Sequence, residues 1–267
     1  MRQEQLDSLY RWFQGYAGSF SSDNPRIQAH LKLKQQHTYR VCAEMRYLVR
    51  SLALPDRDAR IAEAVALLHD TGRFEQFLRY QTFMDSRSEN HCLLGLRVLT
   101  ERKVLQDLDE SERRIIEKSV EYHGAIELPD LPEDTILFAR LIRDADKIDI
   151  FHIVIKNYKE YLRNPEGFVL EVAFPDTPGC SPEVAAAVLA RQPIDYRQLK
   201  TIDDVKLMQL GWVFDINFAA TLIRIRDRGY LDELIHLLPD TPEMAHLTGF
   251  VMDYVEQAIQ QSNPSAS

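Results

Sequence analysis

The stretch Leu67-Leu68-His69-Asp70-Thr71-Gly72-Arg73 decides how this chain is read. An apolar helical segment, carrying Ile61, Val65 and Leu68 at helical spacing, runs into an adjacent imidazole and carboxylate. Consecutive side chains in the middle of a helix diverge by about 100° and do not converge on one ion. At a helix end that constraint relaxes, and Gly72 stands where a C′ glycine ends a helix. His69 and Asp70 can therefore face one point.

Outward from this pair, apolar residues recur at helical spacing along the chain, as in Ile27, Leu31, Val41, Met45, Leu48 and Leu52. No period-2 strand pattern stands out. The spacing predicts helices over 5–19, 25–52, 57–70, 87–102, 110–123, 132–163, 181–191, 202–227, 229–237 and 242–261. The expected fold class is all-α, a helical bundle with additional C-terminal helices, and no internal repeat suggests a solenoid. Residues 164–182 hold Pro165, Gly167, Pro175, Pro178 and Gly179 and read as a joint or lid. The division expected is a packed N-terminal helix in 1–24, a bundle domain in 25–163, a helical extension in 164–261 and a tail in 262–267.

Two further groups share the setting of the His69-Asp70 pair. Asp144, Asp146 and Asp149 lie in an otherwise apolar helical segment, and core carboxylates need partners. His37, His91 and His123 stand beside helical apolar positions with acidic or glycine neighbours within a turn. Taken singly, each reads as a satisfied core or helix-end residue. Taken together, imidazole and carboxylate suit divalent Mn, Fe, Zn or Ni and leave positions open for water and substrate. The three cysteines, Cys42, Cys92 and Cys180, are far apart and read as small buried hydrophobes.

In their order along the chain, His37, the His69-Asp70 pair and Asp146 resemble the H…HD…D pattern of the HD superfamily of metal-dependent phosphohydrolases. The resemblance covers residues 25 to 160 and implies an HD-type bundle in which these four hold a divalent metal, with Asp144 as a second candidate for the last position. It extends to His91 and His123, which sit where binuclear members place two more ligands. In those members the HD aspartate bridges both ions. One or two ions per chain are expected, of Mn, Fe, Ni, Co, Zn or Mg. The chain lacks the Gly-Tyr-Pro segment of the cyclic di-nucleotide branch, and Arg73 stands where that branch has lysine.

Hydrolysis of a small phosphate ester, a nucleotide or related phosphomonoester, is the activity the resemblance implies. A cyclic-nucleotide-type phosphodiesterase, a di-iron oxygenase and a non-catalytic nucleotide-binding module are the alternatives. Phosphate needs cations near the ligands. Arg73, Lys147 and Arg40 lie close in sequence, and Asp70, Arg73 and Lys147 are the expected catalytic set. Glu121 and Asp149 are candidates to orient ligating imidazoles. Tyr80, Phe83 and Tyr122 could stack on a base, although an aromatic at such spacing is more often core.

Composition narrows the partners. The 267 residues carry 32 Lys+Arg against 41 Asp+Glu, a net charge of −9, so no global positive field draws the chain to nucleic acid or anionic membrane. A small phosphorylated substrate and a possible homodimer are the partners expected. The first twenty residues lack a signal-like apolar run, no later segment suits a membrane span, and a cytosolic location is expected.

Overall fold

A computed structural model describes residues 1–164 and 177–262. It is all-α, with no strand among the described residues. The joint expected in 164–182 falls outside the described residues over 165–176, as does the tail over 263–267. Two compact units are present, Met1–Asp149 and Ile150–Ser267.

In the first unit, α1 (Gln3–Gly18) buries Leu6, Leu9, Phe13, Tyr16 and Ala17, one stripe at helical spacing. Helix α2 (Pro25–Ser51) starts with proline after Asn24, whose side chain accepts from the Arg26 amide. Helix α3 (Asp56–Leu68) is buried almost all round from Ile61 onward and touches α1, α2 and α6, which makes it the centre of the unit. Then come α4 (Gly72–Tyr80), α5 (His91–Glu101), α6 (Glu110–Tyr122) and α7 (Glu133–Arg163). Asn90 caps α5 by accepting from the Leu93 amide, and Asp109 caps α6 by accepting from the Glu112 amide.

The sequence reading omits α4. Gly72 was expected to stop a helix, yet it is the first residue of one. Its role is close approach. A Cβ on Gly72 would stand 2.2 Å from the His91 carbonyl oxygen and 2.5 Å from the Gly95 nitrogen, so the start of α4 lies directly on the backbone of α5. The buried Phe74 and Phe77 were the legible trace of this short helix.

The second unit contains α8 (Pro182–Leu189), α9 (Ile202–Leu210), α10 (Ala219–Asp227), α11 (Tyr230–Ile235) and α12 (Pro242–Ser262). The single helix expected over 202–227 is broken: α9 ends at Leu210, a 3-10 turn covers Gly211–Asp215, and α10 starts at Ala219. Gly211 is a weak helix former, and Asp215 and Asn217 favour turns, which the dense apolar run Trp212-Val213-Phe214 concealed. The two compact units divide within α7. Before the division Asp149 bonds to His37 of α2; after it, Phe151 packs on Trp212 and the Tyr158 hydroxyl donates to Gln209. No described helix is long and apolar enough to cross a membrane.

The second unit turns on one carboxylate. Asp204 is fully buried and accepts from the amides of Ser181, Lys200 and Thr201 and from the Ser181 hydroxyl, at 2.6 to 3.1 Å. Burial pushes this carboxyl up, but those donors outweigh it and hold the group below the ordinary aspartate range. A depressed folded value adds stability above the unfolded pKa, and that stability is lost as pH falls through the folded value. Asp204→Ala is expected to cost about 2–4 kcal/mol at neutral pH and to flatten the acid limb of the stability curve, measured by urea melts across pH. An unchanged midpoint at pH 7 would contradict this account.

Candidate metal centre

Five elements bring the predicted residues together. His37 comes from α2, His69 caps the C-terminus of α3, Asp70 lies in the corner between α3 and α4, His91 opens α5, His123 caps α6 and Asp146 lies within α7. The corner stays near helical geometry at His69 and Thr71. It is tied down by the Thr71 hydroxyl donating to Leu68 O at 2.8 Å and the Tyr16 hydroxyl donating to Thr71 O at 3.2 Å.

Each imidazole is oriented through Nδ1. His37 Nδ1 pairs with Asp149 at 2.6 Å, His69 Nδ1 with Ala66 O at 2.8 Å, His91 Nδ1 with Asp85 at 2.7 Å and His123 Nδ1 with Val120 O at 2.8 Å. Carbonyl and carboxylate oxygens accept, so Nδ1 carries the hydrogen and the four Nε2 atoms are turned inward. They meet the two oxygens of Asp70 on different sides. Oδ2 lies 3.4 Å from His37 Nε2 and 3.7 Å from His69 Nε2, whereas Oδ1 lies 3.7 Å from His91 Nε2 and 3.8 Å from His123 Nε2.

Such a set of lone pairs is unfavourable unless positive charge sits among them. Asp146 Oδ1 is 3.1 Å from His37 Nε2 and 3.8 Å from His69 Nε2, and His91 Nε2 is 3.1 Å from His123 Nε2. His69 Nε2 and Asp146 Oδ1 are buried without a hydrogen-bond partner, a costly arrangement for polar atoms unless a cation binds there. The donor set fits a divalent metal: imidazole nitrogens and carboxylate oxygens, with His37, His69 and Asp70 in one group and His91, Cys92 and His123 in another. Asp146 is the most accessible of the six predicted side chains, at 19 % against 0–7 % for the others, so solvent reaches the centre on its side.

The electrostatics divide the imidazoles. Burial pushes His69 down to about 4, which keeps its Nε2 bare. Burial and the Lys34 ammonium also press on His37, but the carboxylates of Asp146, Asp149 and Asp70 outweigh them and raise it to about 10. Against its own burial, His123 is raised to about 10 by Cys92 and Asp70. Burial works upward on Asp70, yet the Lys34 ammonium and the surrounding imidazoles hold its carboxyl well below the ordinary range.

The cations are arranged differently from the sequence expectation. Arg73 Nη1 donates to Gln76 Oε1, Phe83 O and Asp85 Oδ1, and its Nε lies 3.4 Å from Asp70. Its guanidinium thus ties Asp85, the orienter of His91, to the corner. Arg40 pairs with Asp149 at 2.6 Å, and Glu121 pairs with Lys118 at 2.8 Å rather than with an imidazole. Lys147 follows Asp146 on α7 and is half-buried. Phe83 packs on Phe77, 5.0 Å below the Lys34 ammonium.

Three residues of the centre escaped the sequence reading. Lys34, whose Nζ is 2.9 Å from Asp70 Oδ2, had a signal in its place one turn before His37 on the same helix. Cys92 reads as a buried hydrophobe by its spacing, although it adjoins His91. Asp85 lies in a 3-10 turn and gave no signal.

Residues 35–150 match the HD domain family, so this part of the chain is an HD domain. Members of the HD superfamily are generally metal-dependent phosphohydrolases and bind divalent metals, which agrees with the two groups of ligand atoms here. No curated protein and no solved structure matches the chain.

Two predictions follow from this geometry. A methyl at Gly72 meets backbone on both sides, so Gly72→Ala must part α4 from α5 and shift Asp70 relative to His91. It is expected to lower stability by about 3 kcal/mol and to weaken metal uptake, read by thermal melts and metal analysis; wild-type values in both would refute the contact. Cations and protons also compete for the Nε2 atoms of His37 and His123. Metal uptake at pH 7 should release about two protons and weaken as pH falls, measured by titration calorimetry in buffers of different ionisation enthalpy. A buffer-independent heat would count against it.

Proposed function

We propose that the chain is a metal-dependent hydrolase of a small phosphate ester, a nucleotide or related phosphomonoester, with a binuclear centre. The observation that carries this reading is Asp70, whose two oxygens face two separate sets of inward-turned imidazoles. In this reading His37, His69, Asp146 and Asp70 Oδ2 hold one ion, while His91, His123 and Asp70 Oδ1 hold the other. A divalent ion in such a set lowers the pKa of bound water toward 7 and polarises a phosphoryl oxygen.

The remaining work falls to the chain. Asp149, Ala66, Asp85 and Val120 hold the imidazoles in one tautomer and orientation, so no rotamer search precedes binding. Lys34, 16 % exposed at Asp70, and Lys147, beside Asp146, supply the local positive charge that a protein of net charge −9 must offer an anionic substrate. Arg73 acts as a positioning residue through Asp85 and Asp70. The more accessible Asp146 side is the side of entry.

The test is phosphate release from a panel of phosphomonoesters by protein loaded in turn with Mn, Co, Ni and Mg. Asp70→Ala is expected to abolish turnover, and Lys34→Ala to lower kcat/KM about tenfold to hundredfold through loss of one charged contact. No release with any metal, or an Asp70→Ala variant as active as wild type, would refute the proposal.

A further inference from the structure

We infer that Cys92 is a metal-directed thiol, which with His91, His123 and Asp70 Oδ1 makes a closed N2SO set for a soft ion such as zinc. The inference rests on the binuclear reading above and separates its two halves. His37, His69, Asp146 and Asp70 Oδ2 form an N2O2 set; the other half contains sulfur.

Geometry carries the assignment. Cys92, the second residue of α5, is 2 % exposed, and its Sγ lies 3.4 Å from His91 Nε2 and 4.0 Å from His123 Nε2. The two Nε2 atoms are 3.1 Å apart, and each is within 3.8 Å of Asp70 Oδ1. A tetrahedral zinc with ordinary Zn–N and Zn–S bonds separates two nitrogens by about 3.4 Å and a nitrogen from a sulfur by about 3.5 Å. The Sγ–His91 and Nε2–Nε2 separations lie within about 0.3 Å of these figures, and the Sγ–His123 separation is about 0.5 Å longer.

Gly124 supports the same reading. A Cβ there would stand 3.0 Å from Cys92 Sγ and 3.1 Å from His91 Cε1, so the glycine after His123 leaves the space that the sulfur and the ring occupy. The other two cysteines are not in either ligand group. The consequence is an asymmetric centre. A four-ligand set with a thiolate is closed and favours zinc over Mn or Mg, while the N2O2 set, on the accessible Asp146 side, accommodates harder ions.

Zinc K-edge X-ray absorption tests this on the full chain, purified without added metal or a metal-binding tag and then loaded with zinc. The expected spectrum contains a sulfur shell at about 2.3 Å, with about one sulfur per two zincs. The shell should persist in Cys42→Ala and Cys180→Ala and vanish in Cys92→Ala, whose second zinc should be held at least tenfold more weakly in a chelator competition. Should Cys92→Ala fail to fold by circular dichroism, Cys92→Ser replaces the sulfur shell with oxygen at about 2.0–2.2 Å. Two zincs without a sulfur shell, or a shell that survives loss of Cys92, would overturn the inference and leave the binuclear reading intact. One zinc with a sulfur shell would support Cys92 and overturn the two-ion reading, and no zinc at all would overturn both.

Discussion

The Asp70 carboxylate is 3 % exposed and is held ionised among four imidazoles and one ammonium. A buried charge of this kind persists only where the surrounding structure supplies compensating charge and directed donors. The first unit is organised to do so. Helices α2, α3, α5, α6 and α7 each deliver a side chain to the same point, and the Nδ1 partner of each imidazole sets which atom it presents there. Two of those partners are backbone carbonyls one turn earlier on the same helix, Ala66 for His69 and Val120 for His123. Helix ends thus orient part of the centre unaided, and the other partners are Asp149, far along the chain on α7, and Asp85, in the 3-10 turn just before α5.

Bringing these ends together depends on backbone approach as much as on side-chain packing. Gly72 and Gly95 let α4 and α5 lie against one another, which seats the Asp70 corner beside His91. Phe13 and Tyr16 of α1, with Phe20 just beyond it, pack on Phe74 of α4 beside the same corner, and the Tyr16 hydroxyl bonds to it directly. This makes the N-terminal helix part of the scaffold of the centre. Arg73 extends the same logic to the segment after α4, holding Asp85 where it can orient His91.

A centre that keeps His69 neutral while raising His37 and His123 is polarised before any ligand arrives. Charge complementarity is therefore local. The acidic balance of the chain as a whole coexists with Lys34 and Arg73 at Asp70 and with Arg40 at Asp149. The division of the chain within α7 has the same origin, since one stretch of that helix is committed to His37 while the next packs into a core of its own around Phe151 and Tyr158.

The all-α class, most helix boundaries and the six side chains of the centre were legible in the sequence, because apolar spacing and residue chemistry are local properties that survive without coordinates. Asp149 as the orienter of His37 was legible too. What the sequence left undetermined are relations between distant segments. Gly72 looked like a helix stop because its neighbour on α5 lies about twenty residues away, and α4 was lost with it. The break after Leu210 was hidden by apolar residues whose spacing suits a helix and a turn alike. Lys34, Asp85 and Cys92 acquire meaning only from distances of 2.9, 2.7 and 3.4 Å to other residues of the centre, and the bonds of Arg73 to Gln76, Phe83 and Asp85 are equally invisible in sequence. Sequence determined which chemistry the chain carries; tertiary structure decided which atoms face one another, because a lone pair has direction and a residue type does not.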